Sequence, residues 1–152
     1  MKNRLRYLLS FATLAAVLSA GAASLSAAPR VVEITANDQM KFSVATIDAK
    51  VGEEIKVVFK NVGTLPKEAM GHNWVLLKPG ADVAGFATAA MTAKDTDYVP
   101  AAKKGDVVAF VKVLGPKQEG DVTFTVPAAG DYTFICSFPG HYMLMKGVLK
   151  AK

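Results

Sequence analysis

The most informative stretch for the fold lies near the C-terminus and reads Tyr132-Thr-Phe134-Ile-Cys136-Ser-Phe-Pro-Gly-His141-Tyr-Met-Leu-Met145-Lys-Gly147. This stretch places a thiol, an imidazole and two thioethers, those of Met143 and Met145, within ten residues. Cys136 is the only cysteine of the 152 residues, and His141 is one of two histidines. The other, His72, lies in Met70-Gly-His72-Asn-Trp74. Soft donors gathered in two short segments predict a metal site.

The residues that lead to Cys136 alternate as in a β-strand. Tyr132, Phe134 and Cys136 fall on one face, so we expect all three to point into the core. Pro139-Gly140 marks a turn, and residues 137–144 are expected to form a loop before a final strand begins near Met145. The cysteine is therefore expected at the end of a strand, where a loop can return other ligands to it.

Similar alternation recurs along the chain in β-branched and aromatic runs separated by Gly- and Pro-containing turns. The runs are Val31–Thr35, Glu54–Lys60, Trp74–Leu77, Val107–Val113, Asp121–Val126 and Gly147–Lys150. Short strands at this spacing predict an all-β fold, either an antiparallel sandwich or a barrel.

Residues 82–93 depart from the β pattern. Apolar residues recur there at helical spacing and form one face, comprising Val83, Phe86, Ala87, Ala90 and Met91. Asp82 follows Pro79-Gly80 and is a suitable N-cap. We expect a short helical flap that packs across the strands and has a structural role.

The N-terminus has the layout of a secretory signal peptide. Lys2, Arg4 and Arg6 precede an apolar run over residues 8–18, and small residues follow it. We predict a signal at residues 1–26, with cleavage between 23 and 28, a mature domain over 27–152, and location in the periplasm. The apolar run is too short for a transmembrane helix. No membrane span is expected in the mature chain.

The charge of the mature chain argues against a nucleic-acid partner. The signal carries three of the 18 basic residues and none of the 13 acidic ones, which leaves about +2. Lys and Arg never occur in runs longer than two, so the basic patch that nucleic-acid binding needs is missing.

An unpaired cysteine in an exported protein is reactive, paired with another molecule, or bound to metal. The donor set here is two imidazoles, one thiolate and one thioether, which favours copper. Zinc sites usually have more thiolates, or carboxylates with an open position. Two histidines and one cysteine in a plane, with a weak axial methionine, describe the blue-copper electron-transfer site. The residues alone leave both Met143 and Met145 open as the thioether.

Other interpretations of the same residues are weaker. A single cysteine on a strand is usually a small buried hydrophobic residue, but the grouping with His141 and a methionine argues against coincidence. A cysteine nucleophile needs a neighbouring base and an orienting group, and has no use for a methionine. A c-type heme would need Cys-x-x-Cys-His, which the sequence does not contain.

The spacing Cys136-x4-His141-x3-Met145 resembles the C-terminal ligand loop of azurins. The segment Met70-Gly71-His72-Asn73-Trp74-Val75-Leu76 is similar to their N-terminal ligand segment. The likeness continues through Asp97-Tyr98, Val113-Leu114-Gly115 and Asp121-Val-Thr-Phe, and so covers nearly all of the mature chain. Plastocyanins place the cysteine and histidine closer together. The resemblance implies a Greek-key cupredoxin fold and one type 1 copper per chain.

The resemblance also implies a role for each site residue. His72, Cys136 and His141 would be equatorial ligands, Met145 rather than Met143 the axial ligand, and the Gly71 carbonyl a weak opposite contact. Asn73 and the Phe138 amide would steady the ligand loop and hydrogen-bond the sulfur, which tunes the potential.

The implied function is that of a soluble electron carrier rather than an enzyme. It would be a monomer that meets redox proteins, such as cytochromes c or copper and heme reductases, in short encounters. Docking would use an apolar patch formed by Leu65, Ala69, Met70, Phe138, Pro139, Gly140 and Met143. The alternative is a periplasmic protein that stores or delivers copper.

Two departures from azurins are visible. Azurins have a disulfide near the N-terminus, which one cysteine cannot form, and in this respect the chain looks more like the auracyanins. Azurins also often have a third histidine near the site, whose matching position here is Asn61. We therefore expect the associated pH dependence of the potential to be missing.

Overall fold

The computed structural model describes residues 28–152, so the predicted signal segment 1–26 lies outside the described part of the chain. Within that part the backbone forms nine strands, two α-helices and two 3-10 helices. The strands are β1 Arg30–Asn37, β2 Lys41–Phe42, β3 Thr46–Ala49, β4 Glu54–Asn61, β5 His72–Leu77, β6 Val107–Leu114, β7 Glu119–Thr125, β8 Gly130–Ile135 and β9 Lys146–Ala151. The α-helices are α1 Lys67–Met70 and α2 Val83–Ala90, and the 3-10 helices span Lys94–Thr96 and Ala101–Asp106.

The strands form two sheets, with the orders β2-β1-β4-β7 and β3-β9-β8-β5-β6. This confirms the all-β sandwich with a helical flap, and the sheets are not closed into a barrel. Most neighbouring strands are antiparallel, but two pairs are parallel, namely β1 with β4 and β3 with β9. The chain crosses to the second sheet for β3 before it returns for β4, which brings β4 back in the direction of β1.

The core lies between the sheets and is rich in aromatic rings. Phe134 is fully buried, with its ring centroid 5.7 Å from that of Trp74 and 5.7 Å from that of Phe42. Phe42 also meets Phe59 edge-on at 5.9 Å. Tyr132 and Cys136 belong to the same buried cluster, which confirms that the strand leading to the cysteine points these side chains inward.

The predicted flap is α2. Asp82 caps it, because its carboxylate accepts a hydrogen bond of 2.9 Å from the Gly85 amide. Phe86 packs with Val75 and Ile135 in a second apolar cluster, separate from the main core. The expectation that Met91 belongs to the apolar face is wrong: the helix ends at Ala90, and Met91 is 55% exposed.

The sequence did not reveal α1, which is too short to show a helical period. The amides of Ala69 and Met70 bond the Pro66 carbonyl at 3.0 and 2.9 Å. The chain then becomes extended at Gly71, with φ −67° and ψ 146°. This turn delivers the chain to the beginning of β5.

The topology brings both ligand segments to one end of the five-stranded sheet. Strand β8 is antiparallel to β5 and to β9. The first residue of β5, His72, therefore lies at the same end as Cys136, which directly follows β8, and Met145, which directly precedes β9. No helix of residues 28–152 is both long and apolar enough to span a bilayer.

Candidate metal centre

Three buried side chains converge at this end of the sheet. The Sγ atom of Cys136 lies 3.9 Å from Nδ1 of His72 and 3.6 Å from Nδ1 of His141. All three potential ligand atoms lie within 4.8 Å of one another. His72 and Cys136 are 0% exposed and His141 is 4% exposed, so His141 is the least buried of the three.

The spacing of these atoms fits a single metal ion. With metal–nitrogen and metal–sulfur bonds of about 2.0 and 2.3 Å, donors in a trigonal plane are about 3.7 Å apart. The two sulfur–nitrogen distances fall on either side of that value. The spacing alone does not show which metal binds. Two imidazoles, a thiol and a nearby thioether, however, form the donor set that suits copper.

Of the two candidate methionines, Met145 is fully buried and Met143 is 62% exposed. Met145 belongs to the same buried cluster as Cys136. Met143 projects from the loop and is available to other molecules. The structure therefore places Met145, and not Met143, with the buried site.

Backbone hydrogen bonds tie the loop's candidate ligands to one another. The Cys136 amide bonds the Met145 carbonyl at 3.0 Å, and the Met145 amide bonds the His141 carbonyl at 2.8 Å. The His141 amide in turn bonds the Phe138 carbonyl at 3.0 Å. A loop closed in this way limits how far the donors can move apart.

Gly71 fits into a narrow space beside the site. A Cβ atom built on it would lie 2.6 Å from the Lys67 carbonyl oxygen and 2.7 Å from Val113 Cγ1. It would also lie 3.2 Å from Cε2 of Phe138. A side chain at position 71 would therefore collide with the Lys67 carbonyl and with Val113, so only glycine fits directly before His72.

Asn73 joins the two ligand segments. Its Oδ1 atom accepts a 2.7 Å hydrogen bond from the Ser137 amide, and its Nδ2 group donates to Ser137 Oγ at 2.8 Å. The same Nδ2 group donates to the Asp97 carbonyl at 2.9 Å. The residue after His72 is thus fixed to the residue after Cys136. Sequence reasoning found Asn73 but missed Ser137, since a serine beside a cysteine carries no signal of its own.

Burial raises the pKa of the Cys136 thiol to about 12. Backbone amides of Asn73 and Phe138 act in the opposite direction, because their hydrogen bonds favour the thiolate, but desolvation is larger. At neutral pH the thiol of the metal-free site is therefore protonated. A metal ion would supply the positive charge that the thiolate lacks.

Both imidazoles are held in the neutral form. Burial, with a smaller contribution from the charge of His72, lowers the pKa of His141 to about 4. Burial also lowers the pKa of His72, against smaller opposing effects from the Asn37 backbone and the Asp38 charge. Within residues 28–152 no group meets hydrogen-bond geometry at His72 Nε2. Neutral imidazole is the form that binds metal.

The residues proposed for docking flank this site but differ in exposure. Leu65 is 44% exposed, Ala69 and Gly140 are also exposed, and Met70 and Pro139 are half-buried. Phe138 is only 8% exposed, and its ring centroid lies 4.7 Å from that of His141, with the two rings tilted by 39°. Leu144 was not named from the sequence, yet it is 64% exposed.

Asn61, at the position of the third histidine of azurins, has no titratable side chain. It is 2% exposed, its Nδ2 group donates to the Leu114 carbonyl at 3.2 Å, and its Oδ1 atom accepts from the Gly63 amide at 2.9 Å. These contacts make it part of the structure around the loop that precedes α1.

Comparisons with known proteins agree with this geometry. Residues 29–152 match the model of the family described as copper binding proteins, plastocyanin/azurin family. The azurin of Bordetella pertussis is 44% identical over 147 residues, which cover 89% of this chain and 92% of the azurin.

Two solved structures show the same fold. Auracyanin A of Chloroflexus aurantiacus is 34% identical, with a TM-score of 0.74, and the match covers 82% of this chain and 100% of the auracyanin. An azurin of Methylomonas sp. strain J is 36% identical, with a TM-score of 0.72, and the match covers 82% and 99%. Both kinds of relative named from the sequence are thus found.

The fold and the His72–Cys136–His141 cluster, with Met145 buried beside it, define a cupredoxin of the blue copper electron-transfer class with one type 1 copper. The chain belongs to the plastocyanin/azurin family of copper binding proteins. Its single cysteine is free of any disulfide.

Proposed function

We propose that this protein carries single electrons between redox proteins, with copper held by His72 Nδ1, His141 Nδ1 and Cys136 Sγ. Met145 and the Gly71 carbonyl would complete the set of groups that hold the copper. The single observation that carries this proposal is that the thiol and both imidazole nitrogens converge in a buried site at distances suited to one metal ion.

The bound copper would supply a one-electron couple, Cu(I)/Cu(II). The protein contributes stiffness, because a closed hydrogen-bonded loop and the Asn73–Ser137 link keep the donors in place in both oxidation states. The amides of Asn73 and Phe138 favour the charged thiolate, and polar groups of this kind influence the potential of a bound metal. All donors come from the chain and leave no position for a substrate, which argues against an enzyme.

A protein that stores or delivers copper is the competing function, and the buried site does not favour it. Delivery requires release, whereas an electron carrier retains copper through many cycles. The test is repeated reduction and reoxidation with an excess of a competing chelator. We expect copper to stay bound over tens of cycles; its rapid loss in the reduced state would support delivery.

Copper binding is expected to release one proton per ion at pH 7. The thiol holds its proton there because its pKa is raised to about 12, and the imidazoles have none to lose because their pKa values are lowered. Apparent affinity should therefore rise about tenfold per pH unit around neutrality. A titration of apoprotein with Cu(II) in weak buffer measures this release. Zero or two protons per ion would contradict the assignment.

Partners are proposed to dock on the apolar surface around His141, because His141 is the least buried of the candidate ligand side chains. Phe138 lies beneath this surface, and Met143 and Leu144 project from it at 62% and 64% exposure. An exposed apolar patch without a strong charge cluster suits brief encounters.

Met143→Lys is expected to slow electron self-exchange by about tenfold or more, because two docked copies would oppose buried like charges. The thiolate band should not change, since Met143 is not a ligand. Stopped-flow or NMR line-broadening measures the rate. Lys78→Met is the control, because Lys78 is exposed and directly follows β5 at the end opposite His72. Unchanged self-exchange in Met143→Lys would argue against docking here.

The reduction potential is expected to stay constant across neutral pH. Asn61 occupies the position at which azurins often have a third histidine, and its amide is hydrogen-bonded at both ends and does not titrate. A redox titration from pH 5 to pH 8 measures this, within the range where a histidine would titrate. A clear step in the potential would show that another group near the site changes charge with oxidation state.

Export to the periplasm completes the proposal. It is supported by the signal-like residues 1–26, and by the bacterial azurins that the chain resembles. Cytochromes c or copper and heme reductases are the kinds of partner that we propose, and the carrier is proposed to act as a monomer.

A further inference from the structure

A strained turn beside the metal site is used by neither the proposed ligands nor the docking surface. Four non-glycine residues of the described chain have left-handed φ values, namely Met40, Asp97, Tyr98 and Lys117. Only Asp97 and Tyr98 are adjacent, with φ of 53° and 59°. Residues with side chains adopt this region at a cost, and such strain tends to occur at functional sites.

The turn directs both of its carbonyl groups at the site. The Asp97 carbonyl accepts the 2.9 Å hydrogen bond from Asn73 Nδ2, and the Tyr98 carbonyl accepts a 2.7 Å bond from Ser137 Oγ. Successive residues of one helical hand point their carbonyls in nearly the same direction, as peptide groups do along a helix. In an extended conformation the two carbonyls would diverge, and one of the two bonds would be lost.

The side chains of the turn reach the site as well. The Asp97 carboxylate accepts a 3.1 Å hydrogen bond from the Val113 amide in β6. The Tyr98 ring packs edge-on against Phe138, with centroids 5.1 Å apart, and Phe138 itself contacts the ring of His141. The turn thus contacts β6 and both segments that carry the candidate ligands.

We propose that Asp97 and Tyr98 are positioning residues for the metal centre. Their left-handed turn holds Asn73 and Ser137, the residues that directly follow His72 and Cys136. Through them it fixes the backbone on either side of the two ligand positions. The inference rests on the proposed function only in that the positioned site is a copper site.

Two substitutions of Tyr98 separate the backbone turn from the aromatic ring. Both Tyr98→Val and Tyr98→Gly remove the ring, but valine strongly disfavours positive φ whereas glycine adopts it freely. We expect the valine variant to bind copper about tenfold to a hundredfold more weakly than the glycine variant, as for other groups that orient ligands. Its thiolate band and its reduction potential should also move away from the wild-type values.

A second measurement needs no copper. In the apoprotein the Ser137 amide donates to Asn73 Oδ1, and we expect it to exchange with solvent roughly tenfold faster in Tyr98→Val than in Tyr98→Gly. Lys117 is the matched control, because it has φ of 61° but bonds only the Asn61 and Val62 carbonyls. Lys117→Val and Lys117→Gly should have the same copper affinity and band.

The outcomes are distinct. Equal behaviour of the two Tyr98 variants, whether both resemble the wild type or both are altered, would overturn the role of the backbone turn. If the wild-type protein forms no blue band, the proposed function fails, yet the exchange of the Ser137 amide still decides whether the turn holds the ligand segments.

Discussion

Cys136→Ser is expected to abolish the blue thiolate band completely. The band requires a thiolate bound to Cu(II), and no other cysteine can replace Cys136. Serine is a poor substitute, because its hydroxyl keeps its proton and is a harder donor. Burial already disfavours the charged form of the thiol, and it disfavours an alkoxide more strongly. Optical titration of the apoprotein with Cu(II) measures the loss.

The fold should survive Cys136→Ser, with a change in unfolding free energy of about 1 kcal/mol. The amides of Asn73 and Phe138 that face the sulfur can face a hydroxyl oxygen. Met143→Leu is the matched control, since it removes an exposed sulfur from the same loop and should retain the full band. A blue Cys136→Ser protein would show that the thiolate assignment is wrong.

Gly147→Ala is expected to destabilise the protein by about 1–3 kcal/mol or more, the usual range for overpacking a core. Gly147 pairs with Phe134 across β8 and β9. A Cβ atom here would lie 2.5 Å from Phe134 Cε2 and 2.6 Å from the Ala45 carbonyl oxygen. The ring cannot yield easily, because Phe134 is fully buried between Trp74 and Phe42.

Denaturant unfolding of the apoprotein measures this effect without the added stability that a bound metal gives. Gly105→Ala is the control, since a Cβ atom there meets nothing within 4 Å, and it should change stability by less than about 0.5 kcal/mol. Equal midpoints for the two variants would contradict the tight packing of β9 on Phe134.

The longer strands could be predicted because each repeats its alternation over several residues. β2 and β3, with two and four residues, are too short to show a period, and nothing local tells which pairs are parallel. α1 was missed for the same reason. Met91 continues the helical spacing of α2, but spacing does not show where the helix ends.

The site could be predicted further than the fold, because copper ligands are rare residue types and their spacing is visible in the chain. Which methionine is buried depends on the loop's hydrogen bonds, so the residues alone left Met143 and Met145 open. Ser137 and the carbonyls of Asp97 and Tyr98 act through backbone positions set by the fold. A common residue type in such a role gives no signal in the sequence.

The most direct test of a buried His72–Cys136–His141 copper site is optical. One equivalent of Cu(II) is added to purified apoprotein, and the visible spectrum is recorded before and after ascorbate. We expect an intense blue thiolate band that saturates at one copper per chain, disappears on reduction and returns on reoxidation. A pale spectrum without a thiolate band, from folded protein with copper bound, would contradict the account.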